Sequence, residues 1–470
     1  MQNAQTVCWS GRLRPTAPRP DAAKIHGDRV AESWVDIQPV SRPFRATVAV
    51  PGSKSITNRA LPMAAMASGP SRLSGVLFAD DTRHMIDCLR QLGVNLEINE
   101  SACEISVSGS SPAFPIASAD LSCGNSGTTI RFLTAICAAM PGTYRLDGIE
   151  RMRQRPIGEL ATAIASLGGN IQFPLNPGFP PVQTSGTGLA GGQCRFSNVK
   201  SSQYISAVLM AAPLARRSVD VILEGPVTSE PYVRMTLAMM EQFGIRTSQA
   251  TLDPQSPEMG RVVTIAANQP YTGRAYAIEP DASNASYYLA AAALVPGSTV
   301  VIPGLGRNSL QGDMLFADVL GQMGAHLFLD ADSVRMTGTA RLGGLTIDMN
   351  CIPDMVQTLA VLALFADGPT HICNVGNLRI KETDRLAALE TELTKLGAQV
   401  HTTADSITIH PPVQVTPATI ETYDDHRMAM AFAVAGLRVP GIRISNPACC
   451  AKTYPSFFTD FAAATASQTL

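Results

Sequence analysis

GNSGTTIRFLTAICAAMPG, residues Gly124–Gly142, joins the two features that decide this chain's architecture. A polar cluster with a glycine on each side of Asn125 and Ser126 runs straight into an apolar stretch with no polar face. A short stretch that is hydrophobic all round suits a helix buried inside a domain. The pattern occurs six times. The apolar halves are ALPMAAMASG from Ala60, LTAICAAMPG from Leu133, SAVLMAAPLA from Ser206, LAAAALVPG from Leu289, LAVLALFADG from Leu359 and MAMAFAVAGL from Met428. A second series interleaves with them: QLGVNL, SLGGNI, QFGIRT, QMGAHL and KLGAQV, each ending an amphipathic helical pattern at Gly93, Gly168, Gly244, Gly324 and Gly397. A glycine just past a helix end signals a left-handed cap. β-type segments follow, among them Asn95–Ile98, Cys103–Val107 and Arg261–Ile265.

The repeating unit therefore reads as strand, buried helix, strand, exposed helix, glycine cap and two strands. Its period of about 75 residues is longer than that of solenoid repeats. It fits an α/β fold in which a βαβαββ unit is repeated six times, three units to each of two lobes. The widest gap, between the third and fourth buried helices, places a hinge near Ala277–Asp281, with a second crossing near Val50–Gly52. The expected division is residues 52–277 for the lobe with units one to three, and residues 33–51 with 278–470 for the lobe with units four to six. The sixth unit lacks its last strands, so a strand near Val35–Val48 is expected to complete it. Residues 1–32 carry Pro15, Pro18 and Pro20 among Arg12, Arg14 and Arg19. Those prolines argue against an amphipathic organellar presequence and for a loose, disordered N-terminal tail.

Composition narrows the function. Hydrophobic residues make up 45% and charged residues 16%, which predicts large buried cores. With 36 basic and 38 acidic residues the net charge is −2. No global basic field exists to hold nucleic acid or an anionic membrane, so any anion site must be local. The ten cysteines form no C-x-x-C and no zinc spacing, which fits a reduced, cytoplasmic setting. The uncharged stretch Tyr287–Gly306 contains Pro296, Gly297, Pro303 and Gly304, and reads as a buried helix, a turn and a strand rather than a membrane span.

Polar clusters precede all six apolar stretches: SKSITNR (Ser53–Arg59), GNSGTTIR (Gly124–Arg131), SSQY (Ser201–Tyr204), DASNAS (Asp281–Ser286), IPDMVQ (Ile352–Gln357) and DDHR (Asp424–Arg427). Helix capping alone would explain any one of them. It does not require Lys54, Arg59, Arg131 and Arg427 beside those helix starts, nor the glycines around Asn125. A helix N-terminus offers unpaired N–H groups and a partial positive charge, which favours anions. Three further words lie in the connections: RMRQRPIGE (Arg151–Glu159), NLRIKETDR (Asn377–Arg385) and CCAKTYP (Cys449–Pro455). Salt bridges on a solvated face would account for the first two. No P-loop, G-x-S-x-G or dinucleotide fingerprint is present.

Taken in order, SKS-x-x-NR, GN-x-G-T-x-x-R, R-x-RPI, SSQ, IPD, KETDR, DDHR and AKTYP resemble the 5-enolpyruvylshikimate-3-phosphate synthase (3-phosphoshikimate 1-carboxyvinyltransferase) family from about Val35 to about Ala462. The resemblance implies a two-lobe, inside-out, barrel-like α/β fold of six units. It implies transfer of the enolpyruvyl group of phosphoenolpyruvate to the 5-hydroxyl of shikimate 3-phosphate, in the route to chorismate and aromatic amino acids. It implies no metal or organic cofactor and only small-molecule partners, and a monomer is the default expectation.

Residue by residue, the resemblance puts Lys54, Ser55, Arg59, Ser201, Ser202, Gln203, Ser229, Tyr232, Asp354, Asn377 and Lys381 against shikimate 3-phosphate. It puts Lys54, Asn125, Gly127, Arg155, Gln203, Glu382, Arg385, Arg427 and Lys452 against phosphoenolpyruvate. Asp354 resembles the general base and Glu382 the proton donor, with Lys54 also in the catalytic group. Each substrate carries a phosphate and a carboxylate. At ~4 Å and an effective dielectric of ~20 a like-charge contact costs ~4 kcal/mol, so many cations must converge. Two positions depart from the usual pattern: Phe132 stands where proline is common and Ser126 where alanine is common. Gly127 is retained, which leans towards a glyphosate-sensitive type. The sister transferases acting on UDP-N-acetylglucosamine usually carry a cysteine in the loop where this chain has Met152, Arg153 and Gln154. An RNA-end cyclase would want a histidine nucleophile and a basic face. An inactive anion-binding relative would have lost charged site residues, and none of those named is missing.

Overall fold

The computed structural model describes residues 34–252 and 260–466. The tail expected over residues 1–32 lies outside them.

One rule builds each unit. In the second, the strand Ser118–Ser122 leads into the helix Gly127–Ala139, which crosses to the parallel strand Pro141–Asp147. The outer helix Gly158–Ser166 then feeds the antiparallel pair Ile171–Gln172 and Val182–Thr187, and Val182–Thr187 also pairs with Pro141–Asp147. The third unit repeats this with Gly192–Ser197, Val219–Glu224, Thr247–Thr251 and Gly260–Ile265. The fifth repeats it with Thr346–Asp348, Thr370–Cys373, Gln399–Thr402 and Ile407–His410. Parallel neighbours need a long crossover, and the buried helix supplies it.

The first and fourth units take their first strand from elsewhere in the chain. Ala275–Ala277 lies parallel to Ser71–Ser74, and Arg45–Thr47 lies parallel to Thr299–Pro303. Trp34–Asp36 closes the sixth unit, antiparallel to Arg443–Ser445. The strand expected near Val35–Val48 is thus two short strands with different duties. Pro39 and Pro43 fall between them, and a proline cannot donate to a ladder.

The six crossover helices are Lys54–Ala65, Gly127–Ala139, Ser202–Ala211, Ala282–Leu294, Val356–Ala363 and His426–Gly436. They are buried over nearly their whole length, because alanine, leucine and methionine leave no polar side to face water. The second packs on the third and the fifth on the sixth, with the sheets outside them. Two separate apolar cores result. One runs from Ile56 to Ile278; the other joins Ile37–Val50 to Ala282–Phe461. The chain passes between them through two adjacent segments. There the Ser53 N–H donates to the Glu279 carbonyl, and the Asp281 N–H to the Pro51 carbonyl, both at 2.8 Å. The five cap glycines, Gly93, Gly168, Gly244, Gly324 and Gly397, all take positive φ, as the helix-stop pattern requires. Tyr287–Gly306 is the end of a buried helix followed by the strand Thr299–Pro303. Among the described residues no helix is long and apolar enough to cross a membrane.

Candidate active site

Capping and ligand-facing chemistry share the same helix starts. Ser53, Ser126, Ser201, Asp281 and Asp425 accept hydrogen bonds from the first turns of their helices. The fifth helix is the exception. A 3-10 turn, Pro353–Met355, precedes it, and the Asp354 side chain makes no cap bond. Instead its carboxylate meets Arg427 at 2.9 Å, Arg385 at 3.0 Å and Lys381 at 3.5 Å.

Of the residues singled out from the sequence, Lys54, Ser55, Arg59, Gly127, Arg155, Ser201, Ser202, Gln203, Ser229, Tyr232, Asp354, Asn377, Lys381, Glu382 and Arg427 line one cavity between the two cores. Asn125, Arg385 and Lys452 stand directly behind it. Arg155 Nη1 reaches the Asn125 carbonyl at 3.3 Å. Arg385 donates to Glu382 at 3.0 Å and to Asp425 at 2.7 Å. Lys452 Nζ lies 2.7 Å from Asp81 and 2.7 Å from the Asn125 carbonyl. Glu382 Oε1 sits 3.9 Å from Arg155 and 4.0 Å from Lys452. Asn377 lines the cavity with a buried Oδ1 that has no hydrogen-bond partner among the described residues.

Arg59 touches the cavity but spends its guanidinium inside the protein. It donates to Thr236, to the Ser55 and Tyr232 carbonyls and to Ser206, and it lies 5.0 Å over the Phe132 ring. Phe132 therefore has a duty in this chain: it floors a buried arginine. Ser126 caps its helix and donates to the Asp81 carbonyl.

Three carboxylates escaped the sequence reading. Asp81 is buried between Lys452 and Lys54, the latter at 3.3 Å. In ADDTRH it reads only as an acidic first turn of an outer helix. Asp425 clamps Arg385 through both oxygens, and DDHR gave no sign of which aspartate would do so. Asp313 accepts from Tyr232 at 2.9 Å and from Ser283. It lies in the 3-10 turn Gly312–Met314, whose sequence carries no signal. Arg131, one of the cations beside the helix starts, supports Gln203, with Nη1 2.6 Å from Oε1, and stacks on Tyr204.

Burial acts to raise the Asp354, Glu382 and Asp81 carboxyls, but the surrounding cations outweigh it and hold all three below their ordinary range. Burial pulls the Lys381 amine down, and the neighbouring carboxylates restore only part of that. Asp313 goes the other way, pushed by burial and then by Asp354 up to about 6. A carboxyl depressed in the folded state contributes stability that is present above its unfolded value, near pH ~4, and lost as pH falls below it. Asp313 has the opposite sign and costs stability as pH rises towards 6. Calorimetric melting temperatures should therefore fall steeply below pH ~4, with a shallow opposing trend between there and ~6. A flat profile through the acid range would contradict the buried cation–carboxylate cluster.

An α/β protein whose helix starts gather cations from two cores around one cleft is built to bind small molecules that carry several negative charges. The sequence model of the EPSP synthase (3-phosphoshikimate 1-carboxyvinyltransferase) family matches residues 39–461. The 3-phosphoshikimate 1-carboxyvinyltransferase of Nostoc sp. (strain PCC 7120) is 46% identical over 427 residues, covering 91% of this chain and 98% of that one. The enzyme of the same name from Laribacter hongkongensis is 46% identical over 433 residues, covering 91% and 99%. A solved structure of EPSP synthase from Acinetobacter baumannii superposes with a TM-score of 0.75 at 26% identity, covering 92% of this chain and 98% of that one. This chain belongs to the EPSP synthase family, and is an enzyme.

Proposed function

We infer that the protein transfers the enolpyruvyl group of phosphoenolpyruvate to the 5-hydroxyl of shikimate 3-phosphate and releases phosphate. One observation carries the reading at the level of side chains. Asp354, Lys381, Glu382 and Arg427 from one core face Lys54, Arg155, Ser201, Ser202 and Gln203 from the other across a single cavity.

In the addition step a proton joins the methylene carbon of phosphoenolpyruvate, and the 5-hydroxyl oxygen bonds to the adjacent carbon as its own proton leaves. In the elimination step the new methyl loses a proton and the C–O bond to phosphate breaks. Asp354 takes the hydroxyl proton. Glu382 gives the methylene proton, with Lys381 and Lys452 within the same cluster. Glu382 is ionised while its cations are free to pair with it. The phosphate and carboxylate of phosphoenolpyruvate compete for Arg155, Arg385 and Lys452. Binding thus withdraws positive charge from Glu382 and raises its proton affinity when a donor is needed. The same competition for Arg427 and Arg385 makes Asp354 a stronger base. Shikimate 3-phosphate is held by Ser55, Ser201, Ser202, Gln203, Ser229, Tyr232, Asn377 and Lys381, with Arg59 supporting Ser55 and Tyr232 from beneath. The rest of catalysis is positioning and electrostatic stabilisation.

We propose further that the chain works as a cytoplasmic monomer of two lobes, divided at the paired crossings near residues 50–52 and 277–281. Gly127 supports a glyphosate-sensitive site. A Cβ there would lie 3.0 Å from Arg155 Nη2 and 3.1 Å from Arg131 Nη1. Both contacts are ends of long side chains, so Gly127→Ala should fold. The methyl would crowd the anion that Arg155 receives, and the KM for phosphoenolpyruvate should rise about 10-fold, equal to ~1.4 kcal/mol, with a smaller change for shikimate 3-phosphate. An unchanged KM would remove Gly127 from that subsite.

The direct test is phosphate release from phosphoenolpyruvate, with shikimate 3-phosphate or UDP-N-acetylglucosamine as acceptor and a chelator present. Release with shikimate 3-phosphate alone is expected. Release with the UDP-sugar alone would transfer the protein to the sister reaction. Silence with both, from folded protein, would leave an inactive anion binder.

A further inference from the structure

Arg151 has no part in the reactions above. It lies between the strand Pro141–Asp147 and the turn Met152–Gln154, on the side of the first core. Its guanidinium nevertheless reaches residues that belong to the second. Nε–H donates to the Glu382 carbonyl at 2.9 Å and Nη2–H to the Lys381 carbonyl at 2.7 Å. Nη1 meets Gln154 Oε1 at 3.2 Å. The other arginines of RMRQR do different things. Arg153 pairs with Asp147 on its own side at 2.8 Å, and Arg155 faces the cavity.

Lys381 and Glu382 follow the 3-10 turn Gly376–Ile380 and precede the helix that starts at Arg385. The link itself lies in neither a sheet nor a helix. A planar guanidinium can bond two consecutive carbonyls at once, whereas an ammonium acts as a point charge. We propose that Arg151 is a positioning residue that spans the cleft. Gripping the backbone of Lys381 and Glu382, it fixes their side chains in register with Arg155, which approaches Glu382 from the same wall as Arg151. The two lobes then cannot settle without Lys381 and Glu382 settling too. This inference rests on the roles given to Lys381 and Glu382 above.

The test uses the full chain with Arg151→Ala and Arg151→Lys, compared with Glu382→Gln and Lys381→Met. Arg151→Ala should lose about 100-fold in kcat, the scale of a ~1 Å misplacement, with a much smaller rise in the KM for shikimate 3-phosphate through Lys381. Free guanidinium ion should restore part of the lost kcat, and Arg151→Lys should fall between the two. A kcat equal to the wild type's would overturn the proposal. So would a loss that guanidinium does not relieve and that appears equally in KM, since that is the mark of general destabilisation. If Glu382→Gln and Lys381→Met turn over normally while Arg151→Ala is impaired, the chemical roles fail and the positioning role falls with them, leaving Arg151 only a tie between the two cores. If they are crippled while Arg151→Ala is normal, the clamp fails alone.

Discussion

Asp354→Asn is expected to turn over at least ~100-fold more slowly than the wild type, within the ~10²–10⁴ range for a lost general base. The amide is nearly isosteric, so the 3-10 turn that carries it should be undisturbed. It cannot take the hydroxyl proton. Binding should move in the opposite direction from catalysis. Asp354 competes with the substrates' anionic groups for Arg385, Arg427 and Lys381. Neutralising it frees three cations, so both substrates should bind as tightly as to the wild type or more tightly. Steady-state kinetics and calorimetric titration read the two effects separately. Near-normal turnover would take the base role from Asp354. Lost binding with lost turnover would make it a structural anchor instead.

Lys452→Met is expected to lose about 10³-fold in kcat/KM for phosphoenolpyruvate. One charge contact at ~4 Å and an effective dielectric of ~20 is worth ~4 kcal/mol, and ~1.4 kcal/mol is tenfold in rate. The lysine comes from the turn Pro447–Lys452 beside the second core, yet its ammonium bonds Asp81 and the Asn125 carbonyl beside the first. It therefore contributes in two ways, as a cation for the donor substrate and as a tie across the cleft. The second contribution appears as stability. Breaking a buried pair by removing one partner costs ~3–5 kcal/mol, but Asp81 retains Lys54 at 3.3 Å, so the loss should fall below that range. Melting temperature and the KM for each substrate separate the two contributions. An unaltered phosphoenolpyruvate KM with a lowered melting temperature would leave Lys452 only the tie.

The chain's repeat is written locally, which is why so much of the fold is legible. Apolar helices such as Gly127–Ala139 and caps such as Gly93 and Gly397 depend on residues a few positions apart, and the six-unit count follows from them. Strand partners are less legible. The segment around Val35–Val48 closes one unit and opens another, a choice made by packing hundreds of residues away.

The candidate site divides in the same way. Cations beside helix starts stand out in the sequence, because capping alone gives no reason for Lys54, Arg427 or the glycines around Asn125. What the sequence by itself determined was the unit, its number and the inventory of charges. Only the tertiary structure decided which charges pair. It placed Asp81 beneath two lysines, gave Asp425 rather than Asp424 to Arg385, buried Arg59 over Phe132 and carried Arg151 across the cleft to two carbonyls. The physical reason is range. Helix propensity and capping act over one or two turns of chain. A carboxylate's partner and its proton affinity depend on burial and on cations brought within a few ångströms by the meeting of two cores.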